Sequence, residues 1–193
     1  MNQYSIEKVA NAIIYFVDSK VEHFGKTKLM KLMYFADKNH LEKYGRTIFF
    51  DDYYKLPRGP VASMTLNIIN NINEEENEDF KSYTEEFLNI LDINIQNDNG
   101  QKIINFIPKT NFKKELFSKS EINILESISS KYKSYTKKEI SDESHLLKEY
   151  QKTELNSIID IVDIVDMVDD EDTKSYISLW QNEHKEFNKM IHS

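Results

Sequence analysis

Lys28-Leu29-Met30-Lys31-Leu32-Met33-Tyr34-Phe35-Ala36-Asp37 is the stretch on which the fold turns. It holds neither Gly nor Pro, and Leu29, Leu32, Met33 and Ala36, followed by His40 and Tyr44, recur three and four residues apart, the spacing of one helical face. Lys31, Lys38 and Lys43 fall on other sides of that helix. Thr27 stands where an N-cap belongs and Gly45 where a left-handed residue ends a helix, which predicts a helix over residues 28–44. Upstream, Ile6, Val9, Ile13, Phe16 and Val17 repeat the pattern behind a capping Ser5, predicting a first helix over about residues 5–22, with Gly25 opening the turn between the two.

Downstream the pattern changes. Residues 47–50 and 53–56 are β-favouring runs on either side of Asp51-Asp52, which reads as a tight turn between two strands. Gly59 can adopt an unusual backbone angle, and Pro60 suits the first turn of a helix that carries Val61, Met64, Ile68 and Ile72. A helix is predicted over 80–91, and a β-hairpin from 92–96 and 102–107 around Asn97-Asp98-Asn99-Gly100, ended by Pro108. Ser118 and Glu121 form a capping-box pattern ahead of a helix to about residue 132, and a shorter helix begins at Thr136. Ile158 to Val168 repeats two apolar residues and an Asp, read as a buried or partner-facing helix, and Asp172 is placed to cap a last helix bearing Tyr176, Ile177, Trp180, His184, Phe187 and Ile191. With four Gly and three Pro in 193 residues, the expected class is mainly α (α+β), a compact helical domain with small antiparallel β-hairpins. We expect that domain over residues 1–150 and an acidic helical extension over 151–193.

Composition narrows the function classes. No apolar run reaches membrane-span length, and the acidic residue near the N-terminus does not suit a secretory signal. The absence of cysteine removes disulfides, thiol catalysis and thiolate metal sites, and with them points to a cytoplasmic protein. Residues 1–60 hold ten Lys/Arg and seven Asp/Glu, net +3, whereas residues 61–193 hold fifteen and twenty-six, net −11. Glu154 to Asp172 alone carries eight acids and no base. Binding a duplex needs several cations set against phosphates, so nucleic acid is disfavoured and a basic protein is the expected partner. A homo-oligomer stays open.

The candidate chemistry is sparse. The five histidines (23, 40, 145, 184 and 192) form no zinc-ligand spacing. His40 could titrate against Asp37 or act as a base, against the plainer reading of a packed, hydrogen-bonded histidine. Asp37, Asp51 and Asp52 could assemble a magnesium site, though adjacent acids more often form turns. Lys26, Lys28 and Lys31 straddle a helix start, where N–H groups favour anions, and equally fit a solvated helix face. No glycine-rich phosphate loop, nucleophile elbow or dinucleotide fingerprint occurs. No cofactor is expected.

The series Lys28-Leu29-Met30-Lys31-Leu32-Met33-Tyr34-Phe35-Ala36-Asp37, then His40-Leu41, Gly45, the segment 48–54 and Gly59-Pro60-Val61, resembles the SocA-like antitoxin domain, also called the Panacea domain. A later block, from Phe117-Ser118 through Glu139-Ile140-Ser141 to Ser144-His145, is similar to the family's later helices, so that the likeness spans about residues 5–150. It departs at Tyr150, where the family often has Trp soon after the His. The resemblance implies a non-enzymatic protein that neutralises a cognate toxin by direct binding, and transfers no active site. Proteolytic-adaptor action, or a phage-associated or regulatory role against a host or defence factor, is the alternative; a metal or phosphate enzyme drawing on Asp37, His40 and His145 is a third. The residues of the pattern to examine, as motif or partner-binding positions, are Lys28, Tyr34, Asp37, His40, Tyr53, Arg58, Gly59, Pro60 and His145.

Overall fold

The computed structural model describes residues 5–73, 77–98 and 101–160, with Ser175 and Leu179 beyond them. These residues form seven α-helices and two antiparallel hairpins in the order α1 (Ile6–Asp18), α2 (Lys26–Tyr44), β1 (Tyr53–Leu56), β2 (Gly59–Ala62), α3 (Ser63–Asn73), α4 (Lys81–Ile90), β3 (Leu91–Asp98), β4 (Gln101–Pro108), α5 (Lys119–Lys131), α6 (Lys137–His145) and α7 (Lys148–Lys152). The mainly α class with small hairpins is the one the sequence predicts.

Helix α2 is the axis of the molecule. It packs on α5, α6 and β2, and every residue from Lys28 to Lys38 is buried. Over that length the helix has no solvent face, so Lys28, Lys31 and Lys38 do not lie on one. The sequence expectation that Lys31 and Lys38 face away from the core is corrected here: both are buried, with Phe35 between them on the same stripe. Helix α1 packs across α4, β4 and α5, closing the other side of the core.

The helix starts follow local chemistry. Ser5 caps α1 by accepting from Lys8 N–H at 3.2 Å. Ser118 and Thr136 each form a full capping box, with Glu121 and Glu139 respectively, as the sequence pattern predicts for the first. Helix α2 starts two residues earlier than expected, at Lys26, so Thr27 lies inside it and Gly25 takes the N-cap position without any side-chain cap. Its other end is as predicted, with Gly45 left-handed at φ 74°.

Helix α1 stops at Asp18, four residues short of the expected end. Lys20 is left-handed at φ 55°, Lys20 N–H bonds to Val17 O and Val21 N–H to Phe16 O, the paired bonds of a Schellman stop. Val21 then turns into the core beside Phe16. A lysine takes the place usually held by Gly, so the stop has no sequence signature.

Residues 47–50 are not a strand, and Asp51-Asp52 is not a hairpin turn. β1 pairs instead with β2 across Pro57-Arg58, in a register that sets Tyr53 opposite Ala62 and Lys55 opposite Pro60. Pro60 therefore lies in a strand, and the helix expected there begins at Ser63. Asp51 caps that helix from a distance: its carboxylate accepts from Met64 N–H (2.9 Å), Thr65 N–H (3.0 Å) and the Thr65 hydroxyl (2.8 Å), while Ser63 N–H bonds to Asp52 O. Helix 80–91 and the second hairpin are found as predicted, with Ile95 opposite Ile104.

After α7 the chain returns along β1. Asn156 N–H and Ile159 N–H donate to Lys55 O and Tyr53 O, Lys55 N–H donates to Ser157 O, and Ile159 is buried in the core. Ile158 forms a β-bridge with Tyr54, so the apolar-apolar-Asp repeat does not begin as a helix. The rest of that repeat, and the helix expected after Asp172, lie outside the described residues.

Gly59 is the tightest backbone position. At φ +103° it holds a conformation that L side chains rarely adopt, and a Cβ there would sit 2.4 Å from Ser144 Oγ and 2.7 Å from Lys31 Cε. Strain and overpacking act together, so Gly59→Ala is expected to cost about 3 kcal/mol of folding stability or more. Gly45→Ala meets the left-handed penalty, about 1 kcal/mol. Urea denaturation of both variants checks the order, and equal losses would contradict the packing argument.

Candidate functional site

The polar members of the motif point inward. Lys28 is fully buried, and its ammonium donates to the carbonyls of Glu22 (2.6 Å), Lys133 (3.2 Å) and Tyr135 (2.5 Å). One side chain thus ties the turn after α1 and the α5–α6 connection to the start of α2. Burial lowers its pKa to about 8. Lys31, one turn on, donates to Pro60 O at 3.0 Å, and burial followed by the nearby Arg58 charge lowers it to about 7.

Tyr34, Asp37 and Tyr53 make a second buried cluster. Asp37 Oδ1 accepts from Ile48 N–H (2.6 Å) and Phe49 N–H (3.0 Å), and Oδ2 accepts from the Tyr53 hydroxyl (2.7 Å). These bonds hold residues 47–50 in place without a strand partner. The Tyr34 ring meets Tyr53 edge-on at 5.0 Å, and its hydroxyl donates to Glu149 Oε1 at 2.9 Å. Lys38 bridges Glu149 (3.3 Å) and Glu42 (2.5 Å). Glu149 is wholly buried, and its Oε2 has no hydrogen-bond partner among the described residues. Desolvation raises both tyrosines well above their ordinary range.

His40 is a packed histidine. Its Nδ1 lies 2.7 Å from Arg46 O and so carries the proton, leaving Nε2 to accept from Ser120 Oγ at 3.0 Å. Burial lowers its pKa. Beside it, Glu121 takes Lys8 (2.8 Å) and Arg46 (2.9 Å) on one oxygen while its other oxygen closes the α5 capping box. Among the described residues Asp37, His40 and His145 share no hydrogen-bond partner, so the point of convergence that an enzyme built on them requires is not formed. No group of three or more His, Asp or Glu among the described residues is placed to hold a metal ion. Asp51 is engaged in capping α3 rather than facing Asp37 across a metal.

Of the nine residues singled out from sequence, Lys28, Tyr34, Asp37, His40, Tyr53, Gly59 and Pro60 are buried. Arg58 is exposed and His145 half-buried, and they meet at the surface. Both line a cleft between the β1–β2 turn, the start of β4 and the first turns of α2 and α6. His145 stacks flat on Tyr150 at 5.0 Å, and Tyr150 is anchored by its hydroxyl to Leu56 O at 2.7 Å. Sequence reasoning missed Glu149, and it missed the bonds that Lys31, Lys38 and Glu121 make to other elements, at Pro60, at Glu149 and at Lys8 and Arg46. One signal was available for the lysines: Phe35 sits in the middle of the stripe formed by Lys28, Lys31 and Lys38, where a solvated face would not place it.

A mainly helical domain, organised on a central helix whose signature side chains hold its loops together, is the class these observations define. The chain belongs to the SocA-like antitoxin family: the family model described as Antitoxin SocA-like, Panacea domain, matches residues 29–151. The match opens at Leu29 and runs through α7. No curated protein and no solved structure matches the chain. Among the described residues no helix is long and apolar enough to cross a membrane.

The buried acid carries a signed pH dependence. Burial, only partly offset by the three donors, raises Asp37 from 3.8 to about 7 in the folded state. Between those values the folded protein keeps a proton that the unfolded chain releases, so stability falls as pH rises through this window. Asp51, raised to about 6, acts in the same direction. Urea midpoints taken across this pH range are expected to fall with rising pH in the native chain and to fall less in Asp37→Asn. An unchanged slope in the variant would show that Asp37 is ionised throughout.

Proposed function

We propose that this chain is an antitoxin that neutralises a cognate toxin by binding it directly, as a protein–protein partner in the cytoplasm. The observation that carries this reading is membership of the SocA-like family together with the inward direction of the motif. Residues spent on holding loops cannot also touch a partner, so recognition falls to the outside of the domain. A scaffold of this kind can serve chemically different toxins without altering its core.

Charge supports a basic partner. Residues 1–153 hold 22 Lys/Arg against 23 Asp/Glu, while residues 154–193 hold three against ten. An acid-rich end on a nearly neutral domain steers a cationic protein toward it and raises the rate of encounter.

Co-expression tests the reading. The product of the gene adjacent to this one in its native host is expected to arrest growth alone, to be tolerated when this chain is present, and to co-purify with it. Raising salt from about 0.05 to 0.5 M is expected to slow association by about tenfold with little change in dissociation. A harmless neighbour and no captured protein would reject the proposal.

A further inference from the structure

The surface cleft shared by Arg58 and His145 is basic on a protein whose net charge is −8. It has two lobes, of about 610 and 680 Å³, joined through Thr27, Arg58, Lys102 and Lys137, which line both. Among the described residues Arg58, Lys102 and Lys137 make no ion pair. The acid on the cleft wall, Asp142, is already held by Lys138 at 2.5 Å. Cations brought together with no carboxylate between them repel one another, and that arrangement persists at a cost unless an anion enters.

Two further features of the cleft favour an anion. Beneath Arg58 lies the buried Lys31, whose one hydrogen bond among the described residues is to a carbonyl, and Lys28 lies under the second lobe, also on carbonyls alone. The first turn of α2, a helix of 19 residues, lines the cleft and carries no acidic residue and no side-chain cap, the arrangement in which helix N–H groups favour an anion.

We propose that this cleft is a binding site for a phosphate-bearing small molecule of up to nucleotide size, held by Arg58, Lys102, Lys137 and the α2 amides. Phosphate fits this donor set better than a carboxylate does. It brings up to two charges and three oxygens, which suits a guanidinium fork and two ammonium groups lining one cleft beside a helix start. The concavity and volume are those of a small-molecule site, whereas an acidic protein segment of useful affinity would need a far larger surface. Pro57, Phe24 and Ile104 supply apolar wall beside the cations. The proposal is independent of the toxin-binding reading.

Titration calorimetry of the full chain with inorganic pyrophosphate, ATP and citrate, at about 0.1 M salt, tests it. Saturable one-to-one binding of pyrophosphate is expected, weakened about tenfold or more in Arg58→Ala and in Lys137→Ala. Lys114→Ala, an exposed lysine outside the cleft, is expected to bind as the native chain does. Arg58→Lys keeps the charge but loses the fork and is expected to fall between native and alanine. ATP binding more tightly than pyrophosphate assigns the site to a nucleotide, and equal affinity assigns it to free phosphates; either supports the proposal. Absence of saturable binding, citrate binding as well as pyrophosphate, or affinity unchanged in a correctly folded Arg58→Ala would overturn it.

Discussion

Burial of α2 from Lys28 to Lys38 is the constraint from which the rest of the structure follows. Over that length every polar side chain must be answered by protein, and the answers come from the α1–α2, α2–β1 and α5–α6 connections and from β2, α5 and α7. Lys28 takes carbonyls from the α1–α2 turn and the α5–α6 loop, Lys31 takes Pro60, Asp37 takes the amides of Ile48 and Phe49, His40 takes Arg46 O and Ser120, and Tyr34 takes Glu149 on α7. Each bond is modest in net stability, but removing one partner strands the other in low dielectric, at a cost of roughly 3–5 kcal/mol for a buried charge. The motif is therefore a set of clamps spaced along one rod. Its spacing records where the loops pass, which is why polar and apolar positions interleave with no amphipathic face.

That same property limited what could be read in advance. The existence of α2 and its stop at Gly45, the Ser118–Glu121 capping box, the second hairpin and the overall class were legible because each depends on residues close in sequence, such as Ser118 with Glu121 or the turn composition at residues 97–100. What failed depended on partners far away. Residues 47–50 look like a strand by composition, yet their amides are taken by Asp37 on a different element. Asp51 looks like a turn former, yet it serves helix α3 twelve residues on. Lys31 and Lys38 look solvated until α5 and α6 are laid against them, and Phe35, stacked on Tyr132 at 4.8 Å, is the one local sign that they are not. The early stop of α1 at a left-handed Lys20 had no local sign at all.

Charge is segregated rather than uniformly negative. The domain through residue 153 is close to neutral, the acid excess follows it, and the cleft around Arg58 is locally positive. A single net value of −8 conceals an acid-rich stretch of sequence, which on the proposed reading attracts a cationic protein at long range, and a positive cleft, which on the proposed reading holds a compact anion at short range. The two act through different physics: the first is screened within about 8–10 Å at ordinary salt, whereas a ligand inside the cleft meets its cations partly shielded from solvent.

Arg58 is where the internal scaffold and the exposed surface meet. It stands between Pro57, whose ring restricts the backbone, and Gly59, whose φ of +103° is wedged against Lys31 and Ser144. Pro60 beyond it is held by Lys31 through its carbonyl. The guanidinium is thus carried on a turn that the central helix itself fixes, and a side chain on a rigid support loses less freedom on meeting a ligand than one on a loose loop. Of the nine residues that the motif pattern brought forward, this is the one whose constrained neighbours have no need of its charge. That firmly held turn carries an arginine that makes no ion pair among the described residues, the support that the proposed anion site requires.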